Sequence, residues 1–486
     1  MRIAMPRPAL RPLPLLLAVL LAGCAVGPNY VRPTVATPPA FKEAAGWTRA
    51  EPQDAAPRGD WWSVLDDPVL DQLEKQVDIS NQNLAAAEAA YRQAHAMVAE
   101  QRAALFPTIG LTGSGTRSER GVNASTSGGT GTGGIVVAPS GARNSFQVGG
   151  TASWEPDLWG RIRRTVENAK AQAQASQADI ANARLSAQSE LATDYVQLRA
   201  FDEVKRITDA TVEGYRRSLQ IAQNRFNAGT TARSDLLTAQ TQLANAQAQS
   251  ADLERQRALL EHAIAVLTGQ PPANLTLATA PWRPTVPAPP VSLPSQLLQR
   301  RPDIASAERK VAAANAQIGV AVAAYFPTLD LSLQGGVSSS SLSQLFNASS
   351  TFWSLGANVA ETVLDFGARK ARVSEARAAY DQTVAQYRQT VLSGFQEVED
   401  ALAAGRILGE EAPLREQASQ AADQSEQIAL NQYRAGTADY TTVVVAQATA
   451  LSARQSLINN QRDQITAALN LITASGGGWG GTGRPG

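Results

Sequence analysis

Asn224-Arg225-Phe226-Asn227-Ala228-Gly229-Thr230 is written again 207 residues later as Asn431-Gln432-Tyr433-Arg434-Ala435-Gly436-Thr437. Trp159-Gly160 and Phe366-Gly367 share that offset. Residues 161–228 separate the first pair of marks and residues 368–435 the second, 68 in each case. A flexible connection would not hold its length in this way. At ~1.5 Å per residue a helix of that size is about 100 Å long, whereas helices usually run about 12 residues. Equal lengths predict two long helices that bridge the same two planes.

The helical reading rests on pattern. Val384, Tyr387, Val391, Phe395, Val398 and Leu402 form a heptad-like seam. Leu191, Tyr195 and Leu198, then Val212, Tyr215 and Leu219, give a version of it in the first copy. No proline interrupts 161–228, but Gly409 and Pro413 stand inside 368–435 and predict a kink or break there, because interior proline costs ~3 kcal/mol. Ala-Gly-Thr ends each long helix with glycine at the C′ position. A second helix follows each turn, at about 234–268 and 439–473, and a shorter one precedes each Phe-Pro, at about 68–104 and 303–324.

Those Phe-Pro marks are themselves repeated. Ala104-Leu105-Phe106-Pro107-Thr108-Ile109 returns as Ala324-Tyr325-Phe326-Pro327-Thr328-Leu329 at an offset of 220, so the first copy is 13 residues longer between its Phe-Pro and its glycine. After each mark the period falls to two. Ile109 and Leu111, Phe146 to Trp154, Leu329 to Leu333, and more weakly 351–364 with Trp353, Leu355, Ala357 and Val359 on one face, alternate apolar with polar residues. Such segments of about 10 residues suit a membrane barrel with a wet lumen. Residues 118–144, rich in Gly, Ser and Thr, read as a mobile external loop, and 337–350 as its shorter counterpart. Four strands cannot close. Several chains must share one barrel, and three in a cyclic ring would supply twelve strands.

The first 23 residues carry Arg2, Arg7 and Arg11 ahead of an apolar stretch from Leu13 to Leu21, the form of an export signal too short to span a membrane. They end at Leu21-Ala22-Gly23-Cys24, similar to a bacterial lipoprotein processing box, and Cys24 is the only cysteine. Lipid attachment at Cys24 is therefore expected. No later apolar run reaches the roughly 20 residues of a spanning helix, so any crossing must be made by closed strands. The net charge is zero for the whole chain and −3 without the first 23 residues, and no basic run points to nucleic acid. One cysteine excludes an internal disulfide framework and a thiolate cluster. His95 and His262 stand alone, and Met97 is the one methionine beyond the signal, so no methionine-rich metal relay is offered. No cofactor is expected apart from the covalent lipid.

The chain divides into a signal (1–23), an extended segment (24–60), repeat one (61–268), a Pro-rich linker (269–300), repeat two (301–473) and a Gly-rich tail (474–486). Cys24-Ala25-Val26-Gly27-Pro28-Asn29-Tyr30 with Pro33, Trp61-Trp62 with Asp67-Pro68, Trp154-Glu155-Pro156-Asp157-Leu158-Trp159-Gly160-Arg161, Arg301-Pro302-Asp303-Ile304, and Gln396-Glu397-Val398-Glu399-Asp400-Ala401-Leu402 together resemble the outer-membrane factor (TolC-like) family. The resemblance is to its lipoprotein branch, which works with resistance-nodulation-division pumps, and it runs from about 24 to 473. Pro156 sits where a non-proline residue is more usual. The resemblance implies a mainly α protein with a membrane β-barrel: a homotrimer whose 12-strand barrel in the outer membrane continues into an α-helical periplasmic tunnel. It also implies two partners, a periplasmic adaptor and an inner-membrane pump, and efflux of small molecules such as drugs. Family members place acidic residues just after the Ala-Gly-Thr turns, where they narrow the aperture. Asp235 matches in repeat one. In repeat two Val445 takes the usual aspartate position and Asp439 lies earlier in the turn, as an aperture residue or as a helix N-cap.

Three rival readings carry less. An enzyme would have to use Glu397, Glu399 and Asp400, which lack His, Cys or metal-ligand spacing nearby and read as a solvated helix face. A purely structural coiled-coil lipoprotein does not explain the paired alternating segments. A duct for type I protein secretion shares the fold, and the lipoprotein start favours the pump-linked branch over it.

Overall fold

The computed structural model describes residues 25–43, 60–119, 142–282, 284–287 and 300–477; Cys24, most of the Gly/Ser/Thr-rich loop, residues 283 and 288–299 of the Pro-rich linker and residues 478–486 of the Gly-rich tail lie outside them. The element order is a helical segment split into α1 (Pro68–Ser80) and α2 (Gln82–Ala103), strands β1 (Thr108–Ser118) and β2 (Arg143–Trp154), a long helix α3 (Arg161–Asn227) and α4 (Arg233–Leu267). It then repeats as α5 (Pro302–Ala323), β3 (Thr328–Ser339), β4 (Thr351–Ala360), the long helix α6 (Ala368–Ala435) and α7 (Tyr440–Ala474). The long helices have 67 and 68 residues, as the spacing requires.

Two compact units emerge. The first comprises Met1–Arg32, Gln93–Ala173 and Lys310–Thr383, and the second Pro33–Arg92, Gln174–Arg309 and Val384–Gly486. The first unit holds one antiparallel sheet in the order β1-β2-β3-β4. Its register sorts the side chains by chemistry, because directly paired residues share a face. One row is Ile109, Ala152, Leu333 and Leu355, and the next is Leu111, Gly150, Gly335 and Trp353. The opposite face carries Thr108, Ser153, Ser332 and Gly356, then Gly110, Thr151, Gln334 and Ser354. Among the described residues β1 and β4 each have one partner strand, so both edges are open.

Both strand-to-helix corners are capped by an aspartate, by different routes. Asp157 accepts from Ile162 N (3.0 Å) and Arg163 N (2.8 Å) ahead of α3. Asp365, one place nearer its glycine, accepts from Gly367 N (3.0 Å) and Arg369 N (3.0 Å) ahead of α6. Such caps satisfy orphan N–H groups at a helix start.

In the second unit the predicted seams are buried: Tyr387, Val391, Val398 and Leu402 along α6, and Leu191, Tyr195 and Leu198 along α3. Trp61, Trp62, Leu70 and Val77 join Leu191 and Tyr195 with Ile264, Leu469 and Ile472 in the largest cluster. Tyr195 Oη donates to Asp67 (2.7 Å), whose other oxygen caps α1 at Val69 N (2.9 Å).

Four expectations need correction. The helix expected over 68–104 is broken at Asn81, which leaves helical geometry at ψ 122°. Its Oδ1 caps Leu84 N (3.0 Å) and its Nδ2 donates to the carbonyl of Leu267 at the end of α4 (2.8 Å), so one side chain serves two helix ends. The weak fourth strand ends at Ala360, short of Leu364. The interval of 118–144 begins and ends in strand, since β1 runs to Ser118 and β2 starts at Arg143. Finally, α6 is not broken at Pro413. Proline removes the donor for the Gly409 carbonyl, but Pro413 is exposed and Gly409 has open space beside it, so water can serve that oxygen. One residue earlier, the Leu408 carbonyl accepts from Asn460 Nδ2 and Gln464 Nε2 of α7 (3.3 Å each). The helix thus runs through its proline, with the orphaned Gly409 carbonyl open to solvent and the adjoining Leu408 carbonyl held by α7.

Candidate functional site

The two Ala-Gly-Thr turns of the second unit are built alike. Gly229 has φ +71° and Gly436 φ +80°, the left-handed region that a Cβ disfavours. Thr230 N donates to Arg225 O (2.9 Å) and Gly229 N to Phe226 O (3.0 Å); Thr437 N donates to Gln432 O (2.9 Å) and Gly436 N to Tyr433 O (3.0 Å). This is the paired 6→1 and 5→2 ending that glycine at C′ permits. Each threonine adds a third bond, Thr230 Oγ1 to Arg225 O and Thr437 Oγ1 to Gln432 O, both 3.1 Å. The triplet is thus a unit: alanine completes the helix, glycine turns the chain and the hydroxyl doubles the cap.

Asp235 lies in the first turn of α4, half-buried, and accepts from the Thr231 hydroxyl and from Ser234 Oγ (3.5 Å). A carboxylate there is favoured by the helix dipole. Asp439 occupies the N-cap position of α7, yet its side chain makes no capping bond and is exposed. Val445, at the position where the resemblance implies an aspartate, is also exposed.

Behind the turns sits a cluster that the sequence did not single out. Tyr433 and Tyr440 are buried with ring centroids 5.4 Å apart, and Arg225 lies over the Tyr433 ring at 4.4 Å. Arg225 also reaches the Arg434 carbonyl (3.5 Å), linking the end of α3 to the end of α6. Neither tyrosine hydroxyl has a hydrogen-bond partner among the described residues. Burial, then Tyr433, Tyr215 and Asp235, push the Tyr440 hydroxyl up to about 12. Arg225 and Tyr433 both fall in the repeated heptapeptide but at non-equivalent positions, so aligning the copies conceals their pairing.

Of the carboxylates weighed for catalysis, Glu397 and Asp400 are exposed on the helix face, as expected, and all three also have hydrogen-bond or ion-pair partners. Glu397 pairs with Arg301 (2.5 Å), which also holds Asp303 (2.7 Å) and the Ala474 carbonyl (3.1 Å). Glu399 accepts the backbone N–H groups of Lys42 (2.7 Å) and Glu43 (2.9 Å), and Asp400 accepts from Gln396 (3.3 Å). Phe41 packs on Phe395 beside them. Glu397 and Asp400 border a cleft of about 770 Å³ whose lining includes no histidine or cysteine. Among the described residues no group of three His, Cys, Asp or Glu could hold a metal.

The sheet supplies the other functional surface. Ile109, Leu111, Trp353, Leu355 and Val359 are two-thirds or more exposed on one face. A contiguous apolar face of this kind needs an apolar partner or a bilayer. Among the described residues no helix is long and apolar enough to cross a membrane.

The model of a family described as outer membrane efflux protein matches residues 73–270 and 293–477. An antibiotic efflux pump outer membrane protein of Pseudomonas putida, ArpC, is 30% identical over 464 residues, covering 95% of this chain and 94% of its own. A solvent efflux pump outer membrane protein of the same species, SrpC, is 30% identical over 482 residues, covering 96% and 98%. Among solved structures the outer-membrane channel OprN superposes with a TM-score of 0.84 at 30% identity, over 94% of this chain and 100% of that one.

Proposed function

The chain belongs to the outer membrane efflux protein family, and on that premise we propose that three copies form the exit duct of a tripartite pump, completed by a periplasmic adaptor and an inner-membrane transporter. As a member of that family it is an outer-membrane exit duct for efflux, not an enzyme, and needs no cofactor.

The observation that carries the trimer is the sheet. It has one apolar face, one polar face and two open edges. An open edge is not tolerated in hydrocarbon, where every backbone N–H and C=O needs a partner. Pairing β4 of one copy with β1 of the next satisfies both edges, and three copies give twelve strands with polar side chains toward a wet lumen. The Ala-Gly-Thr turns end the helical tunnel in the periplasm, where Asp235 and Asp439 form a negative collar. Cys24 carries the lipid. The cargo is small molecules of the solvent and antibiotic kind, in keeping with the names of the relatives.

Purified protein reconstituted in a planar bilayer tests this. Discrete channels from a heat-sensitive trimer are expected. Protein that remains monomeric and leaves the bilayer silent refutes the duct.

A further inference from the structure

The two β-hairpins of the first unit repeat each other down to their register. Thr108 pairs with Ser153 in the first, and Thr328 with Ala360 in the second, 220 and 207 residues further on. These are the offsets of the Phe-Pro and the Trp/Phe-Gly marks. The sheet therefore contains one seam at which repeat meets repeat, β2 against β3.

That seam is fastened at its helix-side end. Trp159 follows β2 by five residues, and Phe326-Pro327 immediately precede β3. The Trp159 ring stacks on Phe326 with centroids 4.8 Å apart and an interplanar angle of 24°, and its indole N–H donates to the Pro327 carbonyl (2.8 Å). Both residues are half-buried. Their counterparts in the other repeat are bare. Phe366, at the Trp159 position, is 94% exposed, and Phe106, at the Phe326 position, is 68% exposed. Phe366 is also held at φ +51°, a left-handed conformation that costs a bulky residue on the order of 1 kcal/mol or more. The Asp365 cap fixes this corner, yet a Cβ on the adjoining Gly367 would meet nothing within 4 Å among the described residues. Phe366 follows β4 and Phe106 precedes β1, so the two stand at opposite edges of the sheet, three strand spacings or about 14 Å apart. Within one chain they do not meet.

We propose that Phe366 of each copy stacks on Phe106 of the next, so that the seam between copies reproduces the seam within the chain with one bond missing. Phenylalanine offers the aromatic face of Trp159 but no N–H, and Pro107 of the next copy receives no equivalent of the Trp159–Pro327 hydrogen bond. Three seams that are stacked and bonded then alternate around the barrel with three that are only stacked, and the copies part at the second kind. The proposal rests on the reading of three copies sharing one barrel, and assigns to their junction a contact that the strand edges alone do not require.

Variants of the full chain, purified in detergent, test it through the trimeric fraction and the temperature at which the trimer dissociates. Phe366→Ala should lower the trimeric fraction by about tenfold, with helix content unchanged because the ring is exposed in the single chain. Phe106→Ala should do the same, and the double variant should lose little more, because both changes remove one contact. Phe366→Trp supplies the missing donor: its trimer should dissociate about tenfold more slowly than wild type and at a higher temperature, and the gain should vanish when Phe106→Ala is added. A wild-type-like trimer in all of these variants, or a gain from Phe366→Trp that survives Phe106→Ala, overturns the stack and leaves the duct standing. A wild-type chain that is itself monomeric overturns the duct and the stack together.

Discussion

Glu74 offers a sharp test of the packing in the second unit. It lies on the buried face of α1 with Leu70, Leu73 and Val77, fully excluded from solvent, and neither carboxylate oxygen has a hydrogen-bond partner among the described residues. Asp78, one turn on, is engaged by Arg184 (3.1 Å) and Gln188 (3.3 Å). Burial, and secondly the charge of Asp78, push the Glu74 carboxyl up to about 9, from 4.5 in an open chain. The folded chain keeps this proton from pH 4.5 to about 9, whereas the unfolded chain releases it at 4.5. Stability is therefore full below pH 4.5 and declines as pH rises, by about 1.4 kcal/mol per unit. At pH 7 the accumulated loss is on the order of 3 kcal/mol. Glu74→Gln keeps the shape and the unpaired polar atoms but cannot ionise, so it isolates the proton linkage. Hydrogen exchange of the Pro68–Ser80 segment, compared with wild type at the same pH so that intrinsic rates cancel, reads the difference. Near-equal protection at pH 4.5 and a gain of roughly a hundredfold for the variant at pH 7 are expected, that being the order of 3 kcal/mol. A wild-type-to-variant ratio that does not change with pH refutes the argument.

Other outcomes follow from the same geometry. Asp235→Asn, alone or with Asp439→Asn, should lower single-channel cation selectivity; unchanged conductance and selectivity would remove both residues from the aperture. Pro413→Ala should return a donor to the Gly409 carbonyl and stabilise α6 by about 1–3 kcal/mol, seen as slower exchange around 409–413; exchange as fast as in wild type would show that proline carries no cost there. Gly229→Ala and Gly436→Ala should each cost about 1 kcal/mol through their positive φ, read as a lowered thermal midpoint, and equal midpoints would contradict the turn geometry. Leu355→Arg should cost about 2–4 kcal/mol at mid-bilayer and deplete the assembled trimer, whereas Ser354→Arg on the opposite face should be tolerated; equal effects would reverse the assignment of faces.

The long helices, four strands and glycine turns were legible because each is written in local pattern: a period, a breaker, a repeated distance. Even burial along α6 follows from Tyr387, Val391, Val398 and Leu402 alone. The rest depended on partners remote in sequence. Asn81 breaks a helix that its neighbours would continue, because the Leu267 carbonyl needs a donor. Glu399 looks like a surface charge until the backbone of Lys42 and Glu43 arrives. Glu74 has the sequence environment of an ordinary helix-face carboxylate, and only tertiary packing closes over it. At the candidate aperture, proximity to the turns was legible for Asp235 and Asp439. The Arg225–Tyr433–Tyr440 stack was not, since it joins positions that are not equivalent in the two copies.

The Ala-Gly-Thr turns satisfy their last carbonyls from within, through two backbone amides and a threonine hydroxyl apiece. A loop whose capping hydrogen bonds come from its own chain, with Arg225 adding one across to the Arg434 carbonyl, is ordered before a partner docks. A partner that grips these turns finds them already shaped, and the entropy that a loose loop would surrender on docking has been lost at folding instead. Recognition there is then a matter of fit between two finished surfaces, with association limited by encounter and orientation rather than by waiting for a conformation.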